Sequence, residues 1–466
     1  MRIVFIHYHL KTGGVTTVLK QQLKAIQDGC ETLVITGEPP VEAFPFDVIC
    51  VPGIAYSEKS DTNEQPEDIS QLILQAIRSK WRTGCDLIHV HNPLLKKNRQ
   101  FLKILKSLQQ NGLKLFLQLH DFAEDGRPGS YFSEPYIDNC HYGVINSRDY
   151  QILIDAGLKS QGLHMIANAV IGIPIKEMSK PVENLAVYPI RAIRRKNLGE
   201  TILLSIFFTK ATRLGITLPP NSPVDIKAYQ GWKQFSADRH LPVSFDVGLK
   251  YDFSELISAS QFLLSTSIGE GFGFSFLEPW TAKKILWGRD LPDVTTDFKQ
   301  KGIRLDHLYA KLRVPLSSDQ RERLSDRWKS CVHDNCRLFD MNVDPAAVDE
   351  AFDQMTADNC VDFGLLDESF QKETILKILS DKKVKEWMLE MNPFLRRPGL
   401  IHDAETLIEK NRDLIQRHYN QSIYREELMN IYQIVNGRAV EQRIDKNALL
   451  RSFFNLNNFS LLKWGI

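Results

Sequence analysis

Glu270 and Glu278 bound a glycine-broken run, Ser267-Ile268-Gly269-Glu270-Gly271-Phe272-Gly273-Phe274-Ser275-Phe276-Leu277-Glu278. Gln261–Thr266 before it reads as a strand, and the residues after Gly273 read as a helix. A strand that feeds such a loop presents unpaired N–H groups and a positive dipole end to an anion. A carboxylate beside a phosphate is unfavourable unless it binds hydroxyls. Two carboxylates here therefore suit a ligand that carries both phosphate and hydroxyl groups. The plainer reading is a capping acid and a surface glutamate.

Three other loops follow strands in the same way. Arg191-Ala192-Ile193-Arg194-Arg195-Lys196-Asn197 places four cations after the strand Leu185–Ile190. Arginine forks and a lysine charge suit a diphosphate, against the alternative of a solvated basic turn. His9-Leu10-Lys11-Thr12-Gly13-Gly14 follows the first strand, and its paired glycines would let backbone approach an anion; taken alone, a tight turn is the better reading. Leu119-His120-Asp121-Phe122 ends another strand, where His120 could bond a sugar or move a proton, or simply be satisfied by backbone. His89 and His91 pose the same question, and with no carboxylate near them in sequence they do not suggest a metal site. Cys331, His333 and Cys336 are close together but lack a fourth ligand, so no metal is expected there either.

The elements that must position these loops alternate. Arg2–Tyr8, Thr32–Thr36, Asp47–Val51, Asp86–His91, Leu113–His120 and His141–Asn146 read as strands, with helical segments between most of them. Ala169–Asn184, with Gly172, Pro174 and Pro181, reads as an interdomain linker. The alternation restarts with strands at Leu185–Ile190, Val224–Tyr229, Val243–Val247 and Phe262–Thr266, and helices at Leu198–Thr209 and Phe253–Ala259. Beyond about residue 316 strand signals vanish. One long amphipathic helix is expected around Asn411–Tyr432. The fold class is α/β, with two Rossmann-like parallel-sheet domains and a helical C-terminal elaboration. Domains are expected at 1–175, at 185–405 with a helical insertion near 316–400, and at 406–466.

A length of 466 residues suits two or three domains, and 43% hydrophobic with 25% charged residues suits a soluble globular chain. A net charge of +1 gives no long-range pull toward nucleic acid or an anionic membrane. Seven scattered cysteines without a C-x-x-C point to free thiols in a reducing cytoplasm. Lys11 interrupts any signal-peptide core, and the apolar runs are too short to span a bilayer. A cytoplasmic protein is expected, with at most peripheral membrane contact.

These loops together resemble the retaining glycosyltransferases of the GT-B fold, particularly family 4. Glu270-x7-Glu278 resembles its donor-binding motif, Arg191 and Lys196 its cationic pair, Gly13-Gly14 its N-terminal glycine loop, and His120 its strand-end histidine. Asn168 resembles the asparagine before its linker, and Asn411–Tyr432 its terminal helix, which crosses back onto the first domain. The resemblance implies two domains facing a cleft, with a nucleotide-sugar donor held mainly by the second. Glu278 would bind ribose and Glu270 the transferred sugar. Gly271, Phe272 and Gly273 would line the donor, and Arg191 and Lys196 would stabilise the diphosphate without a metal or other cofactor. Catalytic roles would fall to His120, Glu270, Arg191 and Lys196, with no protein nucleophile and with configuration retained. The acceptor is unspecified: small molecule, glycan, lipid or protein. A non-catalytic nucleotide-sugar binder is the main alternative; an epimerase or phosphorylase on the same fold is less favoured. Lys283 stands where the family has glycine and Ile285 where it has proline, so the helix end must be built differently. The tract from Arg289 to about Leu400 carries no family motif.

Overall fold

Ile3, Val4, Phe5 and Ile6 are all fully buried. A strand shielded on both faces keeps a continuous apolar run instead of alternating, and that is the position of β1 (Arg2–His7). The computed structural model describes residues 1–57, 64–176, 184–209 and 211–465. Around β1 lie β2 (Glu31–Thr36), β3 (Val48–Cys50), β4 (Leu87–His91), β5 (Leu115–Gln118), β6 (His141–Val144) and β7 (Leu163–Met165). Their order is β3-β2-β1-β4-β5-β6-β7, and every pairing is parallel. The winding direction changes between β1 and β4, where such sheets bind ligands. The helix Gly14–Ile26 covers one face through Leu19, Leu23 and Ile26, packed with Tyr424, Leu428 and Tyr432.

A second sheet is built from β8 (Leu185–Arg191), β9 (Arg213–Leu218), β10 (Val243–Ser244), β11 (Ser260–Ser265) and β12 (Leu286–Gly288). Its order is β10-β9-β8-β11-β12, again all parallel. The change of direction falls between β8 and β11, the strands that carry the cationic loop and the Glu270 loop. The chain thus forms two compact units, Met1–Ala169 with Tyr419–Phe454, and Val170–His418 with Asn455–Ile466. Pro181, which marks the expected linker, lies outside the described residues.

Three expectations change. Val224–Tyr229 belongs to a helix, Pro223–Asp238, with Pro223 in its first turn and Tyr229, Trp232 and Ser236 buried at helical spacing. The strand of that region is β9, upstream. The helix expected across Asn411–Tyr432 is two, Ala404–His418 and Gln421–Gly437. Asn420 ends the continuity by capping the second, accepting from Ser422 N at 2.9 Å and Ile423 N at 3.0 Å. Strands also do not end at residue 316: β13 (Arg313–Pro315) pairs antiparallel with β14 (Cys360–Asp362).

The tract beyond Arg289 is tied into the second sheet by a buried ion cluster. Arg289 directly follows β12 and donates to both oxygens of Glu200, at 2.9 and 2.7 Å, and to both of Asp362, at 2.7 Å each. Glu200 also accepts from Tyr309 Oη and Asn197 Nδ2, each at 2.7 Å. Leu312 N donates to Asp362 at 3.0 Å. Three charges leave water together here, and all are hydrogen-bonded. Asn197, next to Lys196, thereby fixes the end of the cationic loop. Gln371 Nε2 donates to the side-chain Oδ1 of Asn197 at 2.9 Å.

Candidate active site

The loops after β8 and β11 are bonded to one another backbone to backbone and side chain to backbone. Ile268 N donates to Arg195 O at 2.9 Å, and Thr266 Oγ1 to the carbonyls of Lys196 and Asn197 at 3.1 Å each. Ser267 Oγ reaches Arg195 O at 3.2 Å, and Tyr188 Oη donates to Lys196 O at 2.8 Å. Asn197 takes the left-handed conformation (φ 51°), which turns the chain from the cationic loop into the helix Leu198–Ser205. Lys196 therefore projects from a loop anchored on three sides.

Its ammonium pairs with Glu270 Oε1, and the two side chains are only 15% and 10% exposed. Burial alone would raise the Glu270 carboxyl; the charges of Lys196 and Arg195 outweigh it and hold the group below its usual range. Burial lowers Lys196, and the nearby Arg195 adds to this, while Glu270 and Glu278 oppose it. Glu278 differs: burial pushes its carboxyl up to about 7, with only Lys196 opposing. Two carboxylates within one site are thus set apart, one firmly ionised and one poised to take a proton.

The helix Phe274–Thr281 starts at Gly273, whose φ of 86° and a contact of 2.5 Å from a would-be Cβ to Val294 Cγ1 both require glycine. No side chain caps its first turn and no acid lies there; Phe276 N donates to Gly273 O at 2.9 Å. Glu278 is its fifth residue, about one turn in. Phe272 is buried between Phe274 and Phe298, at ring distances of 5.0 and 5.8 Å, and anchors the loop.

Of the four cations in this run, Arg191 closes β8 itself, and it turns to Pro219 O (3.1 Å) and Asn221 Oδ1 (2.6 Å). Arg194 is structural. It forks onto Glu368 at 2.8 and 3.1 Å and donates to Gly465 O at 2.5 Å, fastening the C-terminal segment. Arg195 is the cation that bears on both Lys196 and Glu270. The resemblance pairs Arg191 with Lys196, and Arg195 lies in the same run.

Gly13, Gly14 and His120 lie in the first unit. Gly13 has an extended φ of 177°, and a Cβ on Gly14 would touch nothing within 4 Å, so the turn itself requires neither glycine. Asn168 is buried at the end of the same unit. His120 is 7% exposed and its Nε2 lies 2.9 Å from His91 Nδ1. Among the described residues no group of three or more His, Cys, Asp or Glu side chains is arranged to hold a metal. All seven cysteines are free, and no described helix is long and apolar enough to cross a membrane.

Lys283 resolves the departure at the helix end. It adopts φ 55°, the left-handed conformation that usually falls to glycine, and Lys284 N closes back on Pro279 O at 2.9 Å. Lys283→Gly is expected to stabilise the protein by about 1 kcal/mol, read as a higher urea midpoint with an unchanged slope.

Glu278 carries a second prediction. A carboxyl raised from 4.5 to about 7 binds more protons folded than unfolded between those values. Its penalty on stability is absent below pH 4.5, grows as pH rises, and is complete above 7. Glu278→Gln should therefore be more stable than the parent by about 3 kcal/mol at alkaline pH and lose that advantage in acid. Paired denaturation curves across pH read this directly.

No family model matches the chain. It is 24% identical to the mannosylglucosyl-3-phosphoglycerate synthase of Petrotoga mobilis, over 99% of each chain. Among solved structures, the sucrose-phosphate synthase of Thermosynechococcus elongatus superposes with a TM-score of 0.54 at 14% identity, covering 93% of this chain and 98% of that one. Anabaena HepE, solved in complex with UDP-glucose, gives 0.54 at 12% identity, covering 93% and 99%. The fold is the two-sheet GT-B fold of these proteins.

Proposed function

We propose that the protein is a metal-independent, retaining glycosyltransferase. It moves a sugar from a nucleoside-diphosphate donor to a hydroxyl of a phosphoglycerate-bearing acceptor. The observation that carries the donor half is the pairing of Lys196 with Glu270, beside Arg195 and Glu278, where the second sheet changes direction. Two cations meet the diphosphate, and two carboxylates meet sugar and ribose hydroxyls. The end-to-end likeness to a phosphoglycerate-glycoside synthase supports the acceptor half.

In the reaction, the bond from the anomeric carbon to the donor phosphate oxygen breaks as a bond to the acceptor oxygen forms on the same face. The acceptor proton passes to the departing phosphate. Negative charge grows on the diphosphate, and Lys196 and Arg195 stabilise it there, the role a metal plays in other transferases. Glu270 keeps Lys196 in place until the donor arrives and then turns to the sugar hydroxyls.

The test is turnover. The full chain is incubated with UDP-, GDP- and ADP-sugars and with glycosylated or free 3-phosphoglycerate, with and without chelator, and products are read by mass spectrometry and anomeric NMR. A product of retained configuration that forms equally with chelator is expected. Donor binding with no transfer to any acceptor would instead identify a non-catalytic binder.

A further inference from the structure

Five imidazoles gather where three neighbouring strands of the first sheet end. His7 closes β1 and His9 follows it, His89 and His91 lie on β4, and His120 follows β5. His89 and His91 stack at 4.5 Å, and His91 and His120 at 5.2 Å, with ring planes 23° and 13° apart. His7 meets His9 edge-on at 5.4 Å and His91 at 6.2 Å.

His89 is fully occupied. Gln118 Oε1 lies 2.9 Å from its Nε2 and also accepts from Gln22 Nε2 at 2.7 Å. An accepting oxygen places the hydrogen of His89 on Nε2, so Nδ1 accepts from Tyr432 Oη at 2.8 Å. The outer histidines differ. His7 Nδ1 and His91 Nε2 are buried and have no hydrogen-bond partner. Native structures rarely leave buried polar atoms unmatched, because each costs the free energy of a lost hydrogen bond.

The charges around them are already balanced. On the loop after β5, Asp121 accepts from Arg127 at 2.7 Å and from Asn92 at 3.2 Å. Beyond β2, Glu38 pairs with Lys11 at 2.7 Å. His9 Nε2 meets Tyr56 Oη at 3.1 Å, and Lys97 lies 5.8 Å over the Tyr56 ring. Behind the cluster, the helix Gln421–Gly437 contributes only the neutral Tyr432 to His89. Burial and repulsion from neighbouring imidazoles hold His7 down to about 3 and lower His91 as well, and burial holds His120 down to about 4 against the opposing charge of Asp121. The rings are neutral at physiological pH, and Asp121, the carboxylate that acts on His120, is itself paired with Arg127.

We propose that His7, His91 and His120 form a subsite for the anionic end of the acceptor, phosphate or carboxylate, and that the cluster takes up a proton as the anion binds. This rests on the transferase reading and names the group its acceptor must carry. A neutral imidazole next to an arriving anion rises in pKa, so the bound state holds more protons than the free state. Affinity must then increase as pH falls from about 8 toward 6.5, the direction opposite to that of a site built from permanently charged arginines.

Titration calorimetry on the full chain tests this with 3-phosphoglycerate as probe, in buffers of different ionisation enthalpy. Glycerol 3-phosphate and glycerate, which lack carboxylate and phosphate respectively, show which anion the subsite takes. Binding with uptake of a proton is expected, tightening several-fold across that pH range. His7→Gln keeps a group like Nε2 and removes Nδ1, and His91→Asn keeps a group like Nδ1 and removes Nε2. Each should weaken binding by about tenfold or more and reduce the proton uptake, the loss expected for one charge-assisted hydrogen bond. No binding of any probe, binding without proton exchange, or undiminished binding in both variants overturns the proposal. The proton count on the parent protein decides even if a variant fails to fold. A nucleotide titration in the same cell separates the two claims. Nucleotide binding without acceptor-probe binding refutes the subsite alone, and loss of nucleotide binding strikes the transferase reading itself.

Discussion

Lys196→Ala is expected to slow sugar transfer by about 10²–10³-fold, the usual loss when one preorganised charge is withdrawn from a developing anion. Lys196 is held by its own backbone carbonyl, which accepts from Tyr188 and Thr266, so its charge is positioned before the donor binds. The same change harms stability, because it leaves Glu270 buried with Arg195 as the remaining nearby cation. The two effects separate in a double variant. Lys196→Ala with Glu270→Gln removes the stranded charge and should recover most of the lost denaturation midpoint while transfer stays low. Full recovery of transfer in the double variant would show that Lys196 acts only as a structural partner of Glu270.

Arg289→Leu is expected to cost about 3–5 kcal/mol, because it strands two carboxylates that one guanidinium now satisfies. Glu200 and Asp362 each receive two of its hydrogen bonds, and neither has solvent to turn to. Arg289→Lys should recover little, since an ammonium cannot fork onto two carboxylates in one plane. The urea midpoint measures this. A loss below about 1 kcal/mol for Arg289→Leu would mean the cluster is not what joins the 289–400 tract to the second sheet.

The strands were legible where burial on both faces keeps residues apolar, as in Ile3–Ile6. They were illegible where packing overrides local preference. Val224 and Ile226 look like a strand, but Pro223 starts a helix there and Val224 is 72% exposed. β9 hides behind Gly215, where a Cβ would meet Leu185 and Val247 at 3.3 Å; the strand needs the small residue that weakens its signal. The Glu270 and cationic loops were legible because a loop's place after a strand is a property of sequence order. Which cation faces the glutamates was not, because side-chain direction depends on a short turn at Arg194–Lys196 and on Asn197 in the left-handed region. That turn commits Arg194 to Glu368 and brings Arg195 to Glu270. His89, His91 and His120 are legible as strand-end histidines, but their grouping with His7 and His9 is not, because nothing local in sequence reports that β1, β4 and β5 are neighbours.

In the proposed function the loops after β8 and β11 hold a nucleoside diphosphate sugar. Titration of the full chain with UDP-, GDP- and ADP-sugars, in parallel with Lys196→Ala, reads this. One donor class should bind the parent and bind the variant at least about tenfold more weakly, the loss of one charge-assisted contact. Absence of binding by every donor, or equal affinity in parent and variant, would contradict it.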